Sequence, residues 1–176
     1  MINLLKKYWK NEEGLSFMET AILFPVLLSL MMAVYDLGQG VIVNQKTVSA
    51  SQIIADLVTR QEFVDQAVVL DIVNAGEMAF APYSALPFGY DIASVEFDED
   101  ADPIVLWRMS DNMNESDQAI DSTAGLGEEG EGVVVVSVQY SYQPYFSNFV
   151  VEQFDMTERA FLRGRKSAVV HCSDCS

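Results

Sequence analysis

The sequence is poor in the residues that do chemistry. It has one histidine, His171, and two cysteines, Cys172 and Cys175, in 176 residues. A lone imidazole beside a cysteine-bearing tail offers neither a Ser–His–Asp nor a Cys–His arrangement of the kind nucleophilic catalysis uses. Two cysteines are too few to build a disulfide-stapled fold. Positive charge is scarce as well: 10 Lys and Arg stand against 26 Asp and Glu, for a formal net charge of −16. Between Lys46 and Arg159 only Arg60 and Arg108 are basic. A body this acidic is repelled by phosphate backbones, which argues against nucleic acid as a partner. No sequence feature asks for a cofactor, and none suggests an enzyme. At this length one domain is the expectation.

What the chain does have is a long apolar run near its start. Residues 15–35 read LSFMETAILFPVLLSLMMAVY, with one charge, Glu19. As a helix this run is about 31 Å long, close to the thickness of a hydrocarbon core. Lys6, Lys7 and Lys10 precede it and Asp36 follows it. The positive-inside rule then puts the N-terminus in the cytoplasm and the acidic body outside. A cleaved secretory signal would have a shorter run followed by a small-residue cleavage site. Here the run ends in DLGQG at 36–40.

Glu19 is the odd residue, because a carboxylate near the middle of a span costs about 2.5–3.5 kcal/mol and less near its end. It is the fifth residue after Gly14, which stands just before the apolar run. Glu-Glu-Gly14 followed by Leu-Ser-Phe-Met-Glu19 resembles the processing site of type IV prepilins. The resemblance implies that a prepilin peptidase cuts between Gly14 and Leu15, and that Leu15 becomes the new, commonly N-methylated terminus. It also implies that Glu19 pairs with a neighbouring subunit's terminal amine. Such a pair is physically sensible: each charge is costly alone in lipid, and together they fix helix register.

The six-position step from Glu19 to Pro25, with apolar residues on both sides, is similar to the TadE-like pseudopilins of Tad (tight adherence, Flp) pilus systems. The IADLVT string at 54–59 is typical of them too. Thr20 departs from the pattern, which often has Tyr or Phe there. Major Flp pilins are much shorter, so the length favours a minor subunit. Pro25 removes a backbone hydrogen bond and is expected to kink the helix. Such a kink would either ease extraction from the bilayer or serve as a packing bend.

The resemblance implies a single-pass protein of the bacterial inner membrane, with its C-terminal domain periplasmic or carried into a surface pilus. Its implied partners are the prepilin peptidase, other pilin subunits through the N-terminal helix, the inner-membrane assembly platform and lipid. Its implied roles are pilus assembly, adhesion or secretion. Two alternatives stay open: a pseudopilin of a type II-like secretion system, and an uncleaved membrane-anchored domain that binds a ligand or Ca²⁺.

The rest of the chain reads as an α+β domain. The expected division is a leader at 1–14, a transmembrane helix at 15–36 and the domain at 37–176. Gly38 and Gly40 weaken the helix at a polar, flexible exit without having to break it, so one long helix over 15–58 is expected, its lower half in lipid and its upper half on the domain. Helical spacing then resumes, with Val48, Ser51, Ile54, Ala55 and Val58 on one face. Thr59 and Glu62 fit a capping box for a second helix over 60–80, with Val64, Val68, Ile72, Ala75 and Ala79 as its apolar face. Strands are expected at 90–97, 103–109 and 132–142, with a last strand or pair within 156–171. These form a small antiparallel sheet packed on the upper half of the first helix.

Asp98, Asp100 and Asp102 alternate in an acidic turn and are weak candidates for Ca²⁺, although the EF-hand spacing is missing. A solvated turn is the plainer reading. The polar stretch 110–131 is expected to be mobile. Cys172 and Cys175 have CxxC spacing, but no redox-type helix can follow so close to the last residue. In the oxidising periplasm that the resemblance implies, a Cys172–Cys175 disulfide tying off the tail is favoured over pairing between subunits.

Overall fold

The structure, a computed structural model, describes residues 13–83, 88–146 and 153–175, with side chains from Phe17 onward. The chain forms two compact units. One comprises Met1–Gln39 with Pro144–Glu152, and the other Gly40–Gln143 with Gln153–Ser176.

The first helix, α1, is a single helix over Glu13–Thr59. Pro25 lies inside it, and Gly38 and Gly40 do not interrupt it. The one long helix expected over 15–58 is therefore found; isolated glycines lower helix propensity by about 1 kcal/mol each, too little to break so long an element. The helix ends where Thr59 turns its hydroxyl back onto the Ala55 and Asp56 carbonyls, at 2.8 and 3.1 Å. The Arg165 N–H satisfies the Thr59 carbonyl at 2.9 Å.

Thr59 thus closes one helix instead of opening the next, which corrects the capping-box expectation. A two-residue strand, β1 (Phe63–Val64), intervenes, and α2 spans Gln66–Glu77. Its cap is Asp65, whose carboxylate accepts from Val68 N at 2.7 Å. Starting six residues later than expected rotates the buried face to Val69, Ile72, Val73 and Gly76. Val68 and Ala79 only lean on the core. Gly76 is needed for close approach, because a Cβ there would lie 2.6 Å from the Ile54 side chain of α1.

Four strands follow: β2 (Phe88–Phe97), β3 (Pro103–Asp111), β4 (Gly132–Tyr142) and β5 (Phe154–Arg163). They form an antiparallel sheet in the order β3-β2-β4-β5. A two-residue strand β6 (His171–Cys172) pairs in parallel with β1. The α+β expectation holds, and so do the positions of the strands.

The central strands are covered on both faces. Ile92, Val134, Val136, Val138 and Tyr140 join one apolar cluster with Val43, Ala50, Ile54, Ala55 and Val58 of α1. On the other face Ala93, Val95, Phe97, Val133 and Val135 cluster with Ala119 and Ile120. Two-sided burial explains why β4 opens on four consecutive valines and why β2 alternates poorly. On α1 the buried stripe includes Thr47, while Val48 is half-buried.

Ala119 and Ile120 belong to a short helix, α3 (Asp117–Asp121), inside the stretch expected to be mobile. That expectation is corrected. Two apolar side chains anchor the stretch to the sheet, Thr123 is buried, and Gly125 N bonds the Ala101 carbonyl at 2.9 Å.

Candidate functional site

The exposed apolar part of α1 carries the residues singled out from the sequence. Gly14 and Leu15 fall in the first turn of the helix. One turn further on, Glu19 is exposed. Around and beyond it Phe17, Met18, Ile22, Leu23, Phe24, and Val26 to Val34 in the main, stand exposed on every side of the helix. A helix apolar all round is suited to lipid or to the interior of a helical assembly, not to water. This is the one stretch among the described residues long and apolar enough to cross a membrane. Pro25 sits within it.

At its far end the run stops at Asp36, which is buried. The Asp36 carboxylate accepts from Tyr145 N and Phe146 N, each at 3.0 Å, one backbone donor per oxygen. The Tyr35 ring meets the Phe146 and Tyr145 rings edge-on at 5.6 and 6.5 Å. The sequence had marked Asp36 only as a charge flanking the span. Its role depends on a segment more than a hundred residues away, so local spacing carried no signal for it.

The other candidates lie in the larger unit. Asp98 Oδ1 accepts from Asp100 N and Asp102 N, each at 2.9 Å, so it folds its own turn. Cys172 and Cys175 are joined by a disulfide. The disulfide loop places Asp174, whose Oδ1 accepts from Gln66 N at 2.8 Å and so helps cap α2. Among the described residues, Cys172, Asp174 and Cys175 form the one set of three ligand-type groups lying within 4.8 Å of one another, and there the sulfurs already bond each other. His171 stacks on Phe63, with 5.7 Å between ring centroids.

Sequence reading missed the charged pair at the sheet. Asp91 on β2, buried, receives Arg108 of β3 through two parallel bonds of 2.8 Å. Asp91 also accepts from Ser116 N at 2.9 Å, and Arg108 reaches Asp117 at 2.7 Å. Hydrogen bonding to Asp91 raises the Arg108 pKa above its ordinary value; burial opposes this and Asp117 adds to it. The pair ties α3 and its approach to the sheet. A single Asp inside an apolar strand, with a rare Arg in the next, was the available signal.

Arg108 also borders an open cleft of about 370 Å³ beside Tyr90, Gln66 and Leu70. Set against known proteins, the chain matches no family model, no curated protein and no solved structure.

Proposed function

We propose that the chain is a membrane-anchored minor pilin of the TadE-like kind, matured by a prepilin peptidase between Gly14 and Leu15 and serving a Tad-type pilus. In this reading it is a structural subunit and not an enzyme. It spans the inner membrane once, with its acidic domain outside, and meets other subunits and the assembly platform through α1.

The observation that carries the reading is α1 itself. One unbroken helix exposes apolar side chains on all faces in its first part and supplies the core stripe of a folded α+β domain in its second. Glu19 fits the same reading. Cutting before Leu15 creates an ammonium one helical turn from that carboxylate. Two neighbouring subunits could then neutralise each other's buried charge, with each terminus meeting the next subunit's Glu19.

The test is co-expression with an active prepilin peptidase or an inactivated one, followed by intact-mass measurement and N-terminal sequencing. The expected mature chain begins Leu-Ser-Phe-Met-Glu only when the peptidase is active. A chain that keeps Met1 in both cases overturns the proposal.

A further inference from the structure

The aromatic cluster beside Asp36 is more than the end of the apolar helix. Tyr35, Tyr145 and Phe146 are 49%, 65% and 54% exposed, yet the Tyr35 ring meets both of the others. Exposed aromatic side chains normally scatter; three in contact form a patch with a use. The patch is continuous with the exposed apolar surface of α1, since Tyr35 is the last residue of the apolar run. From Phe17 to Tyr35 the helix rises about 27 Å, close to a hydrocarbon thickness. Tyr35 therefore falls where a span would leave the hydrocarbon, the level at which Tyr and Trp rings concentrate.

The chemistry of the second segment matches that level. In a chain with 26 carboxylates, residues 143–151 (QPYFSNFVV) have no charged side chain. An anionic lipid surface repels carboxylates and accepts neutral, amphipathic and aromatic groups. Asp36 supplies the means of holding Tyr145 and Phe146 there. Its two oxygens are directed to the Tyr145 and Phe146 amides. That satisfies a carboxylate at the membrane boundary and two backbone donors together, none of which could enter lipid unpaired.

We propose that Tyr145 and Phe146, docked by Asp36 beside Tyr35, form a second membrane contact seated at the headgroup–acyl boundary of the outer leaflet. The proposal rests on the reading that α1 spans the membrane. The occupant of the patch is lipid, and Asp36 is a positioning residue for it.

The experiment uses the full chain in phosphatidylethanolamine–phosphatidylglycerol nanodiscs, one copy per disc. Phe146→Trp and Phe24→Trp are each compared with the parent, whose Trp9 and Trp107 give a common background. Quenching is read with lipids brominated either near the headgroup or near the chain end. The tryptophan of Phe146→Trp is expected to emit at shorter wavelength and to be quenched by shallow bromine more than by deep. That of Phe24→Trp is expected to show the reverse order. Adding Asp36→Ala to Phe146→Trp should remove the shallow quenching, and adding it to Phe24→Trp should leave the deep quenching in place.

If the Phe24→Trp probe is quenched but the Phe146→Trp probe is not, the interfacial contact is wrong and the span stands. If neither is quenched, the span itself is wrong and the contact falls with it. If the Phe146→Trp probe shifts only as copies per disc increase, a second copy covers the patch and the lipid proposal is overturned.

Discussion

The two parts of α1 differ in where their apolar residues stand and in what lies between them. Before Tyr35 the large apolar side chains point in all directions and stay exposed. After Gly40 the buried residues recur at three- and four-residue steps, from Val43 through Thr47, Ala50 and Ile54 to Val58, with polar residues between them. Among the described residues the first arrangement stays largely exposed, and the second is completed by the sheet. A helix can therefore be continuous in backbone and discontinuous in what it needs around it.

The strongest way to break this comparison is to place the same carboxylate in each part. Ile54→Asp would bury an unpaired charge in the core and cost more than about 4 kcal/mol, a large share of ordinary domain stability. The circular-dichroism melting transition of the domain should be lost or strongly lowered, while membrane retention persists. Leu27→Asp should do the opposite. Insertion is penalised by about 3 kcal/mol, so the membrane fraction falls, and the domain's Tm in detergent is unchanged. Equal effects of both changes on Tm would show that the first part is also core.

A finer test compares Asp36 and Asp91, the two buried carboxylates among the described residues. Asp91→Ala leaves the Arg108 guanidinium with only the exposed Glu115 and Asp117 as partners. Loss of a buried, bidentate partner should cost about 3 kcal/mol in urea unfolding of the domain. Asp36→Ala should leave that midpoint in place and act locally. Amide exchange at Tyr145 and Phe146 should then speed up by about tenfold or more, the equivalent of ~1.4 kcal/mol. A lowered domain midpoint for Asp36→Ala would join the two regions energetically.

These same residues mark what the sequence could and could not reveal. The strands at 90–97, 103–109 and 132–142 were legible because β-rich runs bounded by Pro, Gly and acidic turns have a local signature. The length of α1 was legible from its apolar run and resumed spacing. The start of α2 was not, because Thr59 and Asp65 are both competent caps and only the Arg165 and Cys172–Cys175 tail contacts decide between them. The order in 110–131 was hidden for a similar reason: Ala119 and Ile120 are two apolar residues in a polar stretch, and their value lies in the uncovered sheet face they meet. For the candidate site, Glu19 and Gly14 could be picked out by spacing, whereas Asp36 acquires its role from Tyr145 and Phe146.

The mildest test asks how dry the sheet is at Tyr90, beside the cleft bordered by Gln66 and Leu70. Tyr90 lies in the apolar cluster shared with α1 and is 6% exposed. Burial raises its pKa above the ordinary value near 10, and the nearby charges of Asp111 and then Glu77 raise it further. The folded phenol therefore keeps its proton at a pH where the unfolded one has lost it. Its contribution to stability is whole below the unfolded value of about 10, and falls away as pH rises through the folded value. The slope this adds is at most about 1.4 kcal/mol per pH unit. Tyr90→Phe removes the ionisation and should flatten the fall of the urea midpoint above pH ~10 relative to the parent. The two proteins should differ by a roughly constant amount below it. If both lose stability in parallel across the alkaline range, the phenol is hydrated through the cleft it borders and is wetter than its burial implies.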